Sequence, residues 1–121
     1  MLSQRIVHYY LGVLRLAWVY LVIAGVCEVI WAVGLKYTQG FTRVYPSMIT
    51  LVGMIVSFYY LSLALRDLPI GTAYAVWTGI GALGTVIIGM VFLGEPREWL
   101  RLFFVAMIIV GIIGLKSTSG H

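Results

Sequence analysis

Apolar residues gather into four long runs along the chain, at about 17–35, 45–65, 70–93 and 99–115, with short polar breaks between them. Each run has roughly the ~17–25 residues that an α-helix needs to cross the hydrocarbon core of a bilayer. Lipid offers the backbone no hydrogen-bond partner, so runs of this length and character predict helices rather than strands. The breaks carry turn chemistry. Lys36-Tyr37-Thr38-Gln39-Gly40 closes the first run, with Gly40 placed for a C-terminal cap. Pro46-Ser47 suits the first turn of the second helix. Arg66-Asp67-Leu68-Pro69 and Gly94-Glu95-Pro96-Arg97 are brief polar hairpins. Loops this short force neighbouring helices to run antiparallel, which puts both termini on one side. The predicted fold class is therefore all-α integral membrane, with four transmembrane helices in a domain over 17–118. An N-terminal extension, 1–16, and a C-terminal tail, 119–121, fall outside that domain.

Composition agrees with the pattern. The 121 residues are 62% hydrophobic and 10% charged, against roughly 45–50% and about 25% in soluble domains. A small soluble domain could not hide so much apolar surface. The net charge of +4 does not point to nucleic acid, because the eight Lys and Arg are scattered singly between apolar runs instead of forming a basic patch. They divide evenly between the two sides: Arg5, Arg15, Arg66 and Lys116 on the terminal side, Lys36, Arg43, Arg97 and Arg101 on the other. Without the extension the balance becomes two against four. Positive charge therefore selects no strong orientation, and insertion both ways round is expected. The extension, basic and moderately apolar, fits a signal peptide, an interfacial segment or a translation start lying later, near Leu16.

Metal and enzyme chemistry find little support. Cys27 is the one cysteine, inside an apolar run, and His8 and His121 lie near the chain ends. No metal site, cofactor site or nucleophile–base pair is expected.

The acids are more informative. Asp67, Glu95 and Glu98 fall in loops or at a helix boundary, whereas Glu28 lies near the middle of the first run. At ~1.5 Å per residue it is ~16 Å from Ala17, about half the core thickness. A charge at that depth costs several kcal/mol, and such residues mark functional sites by default. A carboxyl held there can take up a proton or a cation, the minimum chemistry of a proton-coupled antiporter. A protonated acid bonded between helices is the structural alternative. Gly25 and Trp31 lie three residues to either side of Glu28, on its face of the helix. Tyr74, Trp77 and Thr78 on the third helix and Ser57 on the second add hydroxyl and indole groups at membrane depth, able to orient a carboxylate and to stack a flat cation. For the aromatic residues the alternative is an interfacial belt, which suits Trp18, Tyr20, Tyr45 and Trp99 better than Trp31 or Trp77.

Gly79-Ile80-Gly81-Ala82-Leu83-Gly84 is formally G-x-G-x-x-G, but it interrupts an apolar span instead of joining a strand to a helix, so it is no dinucleotide fingerprint. Glycines there favour close packing or a bend. Ala106, Gly111 and Gly114 give the fourth helix small positions, for association with another chain or for packing within its own. Four helices leave little room for a pathway that opens to each side in turn, and a two-fold dimer is the simplest remedy. Inserted oppositely, two copies would mimic the inverted repeats of larger transporters.

Over nearly all of 17–118 the chain resembles the small multidrug resistance family of transporters. The match is carried by Ala17-Trp18, Ala24-Gly25-Val26-Cys27-Glu28-Val29-Ile30-Trp31-Ala32, Lys36-Tyr37, Gly40-Phe41-Thr42-Arg43, Pro46-Ser47 and the run Leu68-Pro69-Ile70-Gly71-Thr72-Ala73-Tyr74-Ala75-Val76-Trp77-Thr78-Gly79-Ile80-Gly81. Within that family Trp31, with the Gly71-Thr72-Ala73-Tyr74 and Trp77-Thr78-Gly79 wording, looks like the guanidinium-exporter subtype, since polyspecific drug exporters typically carry a small residue at that position. The resemblance implies an antiparallel, dual-topology homodimer in the bacterial inner membrane that exchanges protons for guanidinium. It makes Glu28 the shared proton and substrate site, walled by Trp31, Ser57, Tyr74 and Trp77, with Gly25 keeping space open and Gly79 and Gly81 as the helix bend. The extra residues 1–16 are the departure from the family pattern. Two other readings stand beside it: a broader exporter of quaternary ammonium or guanidinyl compounds, and a non-transporting membrane assembly subunit.

Overall fold

The computed structural model describes residues 2–118; Met1, the 119–121 tail and with it His121 lie outside the described residues. Four helices follow one another: α1 Leu2–Tyr37, α2 Val44–Ala64, α3 Ile70–Phe92 and α4 Trp99–Thr118. All four are long and apolar enough to cross a membrane. Three begin and end within a few residues of the predicted spans. The first is different, because it starts at the head of the extension. No proline lies between Leu2 and Ala17, so hydrogen bonding continues although the hydropathy pattern begins only near Ala17. Its 36 residues make a rod of ~54 Å at ~1.5 Å per residue, far longer than the ~30 Å core.

The turns follow their chemistry. Between α1 and α2, Gln39, Gly40 and Phe41 all take left-handed φ, at 49°, 71° and 65°. Buried Thr38 holds that turn: its hydroxyl donates to the Leu35 carbonyl at 2.8 Å and accepts from the Phe41 N–H at 3.3 Å. At the end of α3, Gly94 (φ 71°) lets the Glu95 N–H reach back to the Gly89 carbonyl at 3.0 Å, joining the Leu93 N–H that donates to the same oxygen at 3.1 Å. Glu95 then pairs with Arg101, and the Arg97 Nε donates to the Met90 carbonyl.

α1 is the central element, packed against both α2 and α3, while α2 and α3 touch each other little. The core is built from Ala17, Leu21 and Ala24 of α1, Leu61 and Ala64 of α2, Leu68, and Ala73, Val76 and Trp77 of α3. Between helices in lipid, close approach contributes more than apolar burial, because hydrocarbon tails are as apolar as leucine. Small residues lie at the crossings accordingly: Gly34 against Thr50, Gly53 against Trp31, Gly84 against Val29. The backbone of α4 comes close to α3 alone, and the helix buries none of its residues. Its end returns beside the start of the spanning part of α1, where Lys116 Nζ lies 5.2 Å above the Trp18 ring. Both termini of the four-helix domain are thus on one side.

Candidate functional site

Glu28 reaches the α1–α3 crossing with 9% of its surface exposed. Its carboxyl lies directly over Gly81: a Cβ added there would collide with Oε1, Cδ and Cγ of the acid. Only a glycine leaves the carboxyl this position. No other described residue offers it a hydrogen bond. The acid instead opens into a cavity of about 370 Å³, lined by Trp31 and Ala32 from α1 and by Tyr74, Trp77, Thr78, Gly81, Ala82 and Thr85 from α3. A groove of about 450 Å³ between α1 and α2, lined by Cys27, Ile30, Met48, Ile49, Val52, Gly53 and Val56, carries no charged group to hold a cation. The chemistry belongs to the Glu28 cavity. Among the described residues no three His, Cys, Asp or Glu side chains gather to hold a metal.

The aromatic wall is continuous. Trp31 and Phe58 have ring centroids 6.3 Å apart, Phe58 and Trp77 5.8 Å, and Trp77 and Tyr74 5.5 Å. Phe58 of α2 joins the two tryptophans, a link that helix periodicity within α1 and α3 cannot reveal. Such faces attract a flat cation, by about 0.5–2 kcal/mol each according to how dry the site is.

Behind the wall runs a buried polar chain. The Trp77 indole N–H donates to Ser57 Oγ at 3.0 Å, and the Ser57 hydroxyl donates to the Ala24 carbonyl at 2.7 Å. Ser57 is fully buried and does not line the cavity; it fixes Trp77. Gly25 also lies off the cavity lining, because the Ile80 side chain fills the space above it. Trp31, Tyr74 and Trp77 share the cavity with Glu28. Gly79 faces Ile108 and Ile112 of α4, and α3 runs through Gly79 and Gly81 as one continuous helix. Two buried polar atoms of the lining have no partner among the described residues: the indole nitrogen of Trp31 and the hydroxyl of Thr85. Thr85 had no signal in the sequence beyond its place one turn after Gly81.

Known proteins are similar in sequence to most of this chain. A family model described as Small Multidrug Resistance protein matches residues 16–108. The guanidinium exporter of Yersinia pseudotuberculosis serotype I (strain IP32953) is 58% identical over 104 residues, covering 86% of this chain and 100% of the relative. The guanidinium exporter of Escherichia coli (strain K12) is 59% identical over 104 residues, 86% of this chain and 99% of the relative. That of Citrobacter freundii is 58% identical over the same shares.

Proposed function

The chain belongs to the small multidrug resistance family, and from that premise we propose that it exports guanidinium in exchange for protons, as an antiparallel, dual-topology homodimer. It is a multi-pass protein of the bacterial inner membrane. The observation that carries the reading is the Glu28 carboxyl, unpartnered among the described residues and opening into an aromatic cavity at membrane depth. The names of its relatives point to the same cargo.

The exchange follows from one acceptor with two alternative occupants. Guanidinium is planar, and its N–H edge meets a carboxylate bidentately. A proton on Glu28 removes the acceptor. Because cargo and proton exclude each other, movement of one is tied to return of the other. Trp31, Tyr74 and Trp77 border the cavity and offer aromatic surface to a flat ion, and the bulk of Trp31 beside the acid works against larger cations. Gly79 and Gly81 are the positions at which α3 would bend during alternating access. Nothing in this cycle makes or breaks a covalent bond of the cargo.

Purified protein in proteoliposomes provides the test. A guanidinium gradient is expected to drive counter-movement of protons, and Glu28→Gln to abolish it with the dimer still assembled. The apparent KM for guanidinium should rise as the pH falls, since protons compete for the acid. Exchange that survives Glu28→Gln would refute the reading. Transport of tetraphenylphosphonium without guanidinium would replace it with a broader drug exporter.

A further inference from the structure

We infer that Thr85 is a second cargo contact: its hydroxyl accepts a hydrogen bond from the edge of guanidinium that Glu28 leaves free. The inference rests on the proposed export of guanidinium and adds to it a residue that reads the hydrogen-bonding edge of the ion.

Three observations carry it. The first is placement. Gly81 lies beneath the Glu28 carboxyl, and Thr85 follows it by four residues, one turn along the same face of α3. Both border the cavity that Glu28 opens into. The second is the state of the hydroxyl. Its oxygen is buried and has no hydrogen-bond partner among the described residues. Threonine inside a helix commonly bonds back to the carbonyl one turn earlier, as Thr118 does to Gly114 at 2.8 Å. Thr85 makes no such bond, so no described residue holds the hydroxyl in place, and a turn about χ1 brings the buried oxygen to the cavity that the side chain borders. A buried hydroxyl left unsatisfied is costly, and a valine of the same shape would avoid that cost. The third is chemical complementarity. A guanidinium ion carries N–H donors around its whole edge and no acceptor, whereas one carboxylate meets only one side of it. What the remaining donors need is an uncharged acceptor, and a hydroxyl supplies one without adding a second charge. Trp31 cannot fill that role, because its indole nitrogen only donates.

The Thr85 contact predicts selectivity between ions of equal charge. Replacing N–H groups by N-methyl groups removes the donors that Thr85 reads while leaving the cation for Glu28 and the aromatic faces.

The experiment compares guanidinium with increasingly N-methylated guanidinium ions for wild type, Thr85→Ser, Thr85→Val, Thr85→Ala and Glu28→Gln in proteoliposomes. Thr85→Ser is expected to keep the wild-type KM. Thr85→Val is expected to raise the guanidinium KM about tenfold with kcat little changed, the equivalent of ~1.4 kcal/mol. It should also flatten the preference for guanidinium over its methylated forms. Should Thr85→Val fail to assemble, Thr85→Ala against Thr85→Ser makes the same comparison. A merely structural threonine would alter yield or kcat and leave the preference between ions untouched. Wild-type KM and preference in both hydroxyl-free variants, beside an inactive Glu28→Gln, would overturn the Thr85 inference alone. Absence of guanidinium exchange in the wild type would instead overturn the function on which it rests.

Discussion

Glu28 and Gly81 share one small volume at the α1–α3 crossing, and neither residue makes sense there without the other. A methyl group at position 81 would occupy the space of the carboxyl oxygen. The acid is the flexible partner, so Gly81→Ala should push it out of the cavity and leave the helices assembled. Guanidinium exchange is expected to fall roughly tenfold or more, the equivalent of at least ~1.4 kcal/mol, while circular dichroism keeps the wild-type helix signal. Full exchange in Gly81→Ala would show that the position of the acid over Gly81 is not the working one. This contact also marks how far the sequence could be read at the scale of a residue. Depth alone singled out Glu28, spacing along its helix brought in Trp31, and polar groups at membrane depth brought in Tyr74 and Trp77 on the third helix. Contacts across helices were out of reach: periodicity cannot say that Ile80 fills the space over Gly25, that Phe58 joins the tryptophans, or that Ser57 supports Trp77 from behind.

At the scale of elements, hydropathy placed α2, α3 and α4 well, because in lipid an apolar run and a hydrogen-bonded helix nearly coincide. It failed at the start of α1, where helical backbone continues through residues too polar to count as part of the span. α4 poses a different question. Gly111 and Gly114 meet nothing within 4 Å of an added Cβ, and no residue of the helix is buried. Packing within the chain therefore does not account for these small residues, which leaves association as their proposed role. Gly111→Leu is expected to lower the dimer fraction in detergent, read by cross-linking. The fold of α1–α3 should change by less than ~0.5 kcal/mol, as for a substitution touching nothing in its own chain. Equal dimer fractions would assign that face of α4 to lipid.

The charge balance belongs to the whole molecule. Four Lys and Arg lie on each side only when Arg5 and Arg15 are counted, and both belong to the segment of α1 ahead of the spanning part. Lys116 beside Trp18 puts the end of α4 on that same side. Replacing Arg5 and Arg15 by Gln leaves two cations against four. Orientation follows the more positive side toward the cytoplasm, so the termini should move toward the periplasmic side. Reporter fusions at the C-terminus, one active only in the cytoplasm and one only outside it, would register the shift as a change in their ratio. An unchanged ratio would mean that these arginines have no say in how the chain inserts.

The hydroxyl behind the aromatic wall has a consequence for how the protein can be watched. Ser57 accepts from Trp77 and donates to the Ala24 carbonyl, and no surface of it is open to the cavity. Being fully buried, it can reach a cargo only by moving, which disturbs its bond to the indole. Any state of the cycle in which Ser57 touches the ion is thus a state in which the surroundings of the Trp77 indole have changed. The emission of Trp77, separated from that of Trp18, Trp31 and Trp99 by a Trp77→Phe control, then becomes an internal clock of the transport cycle, with no label attached to the protein.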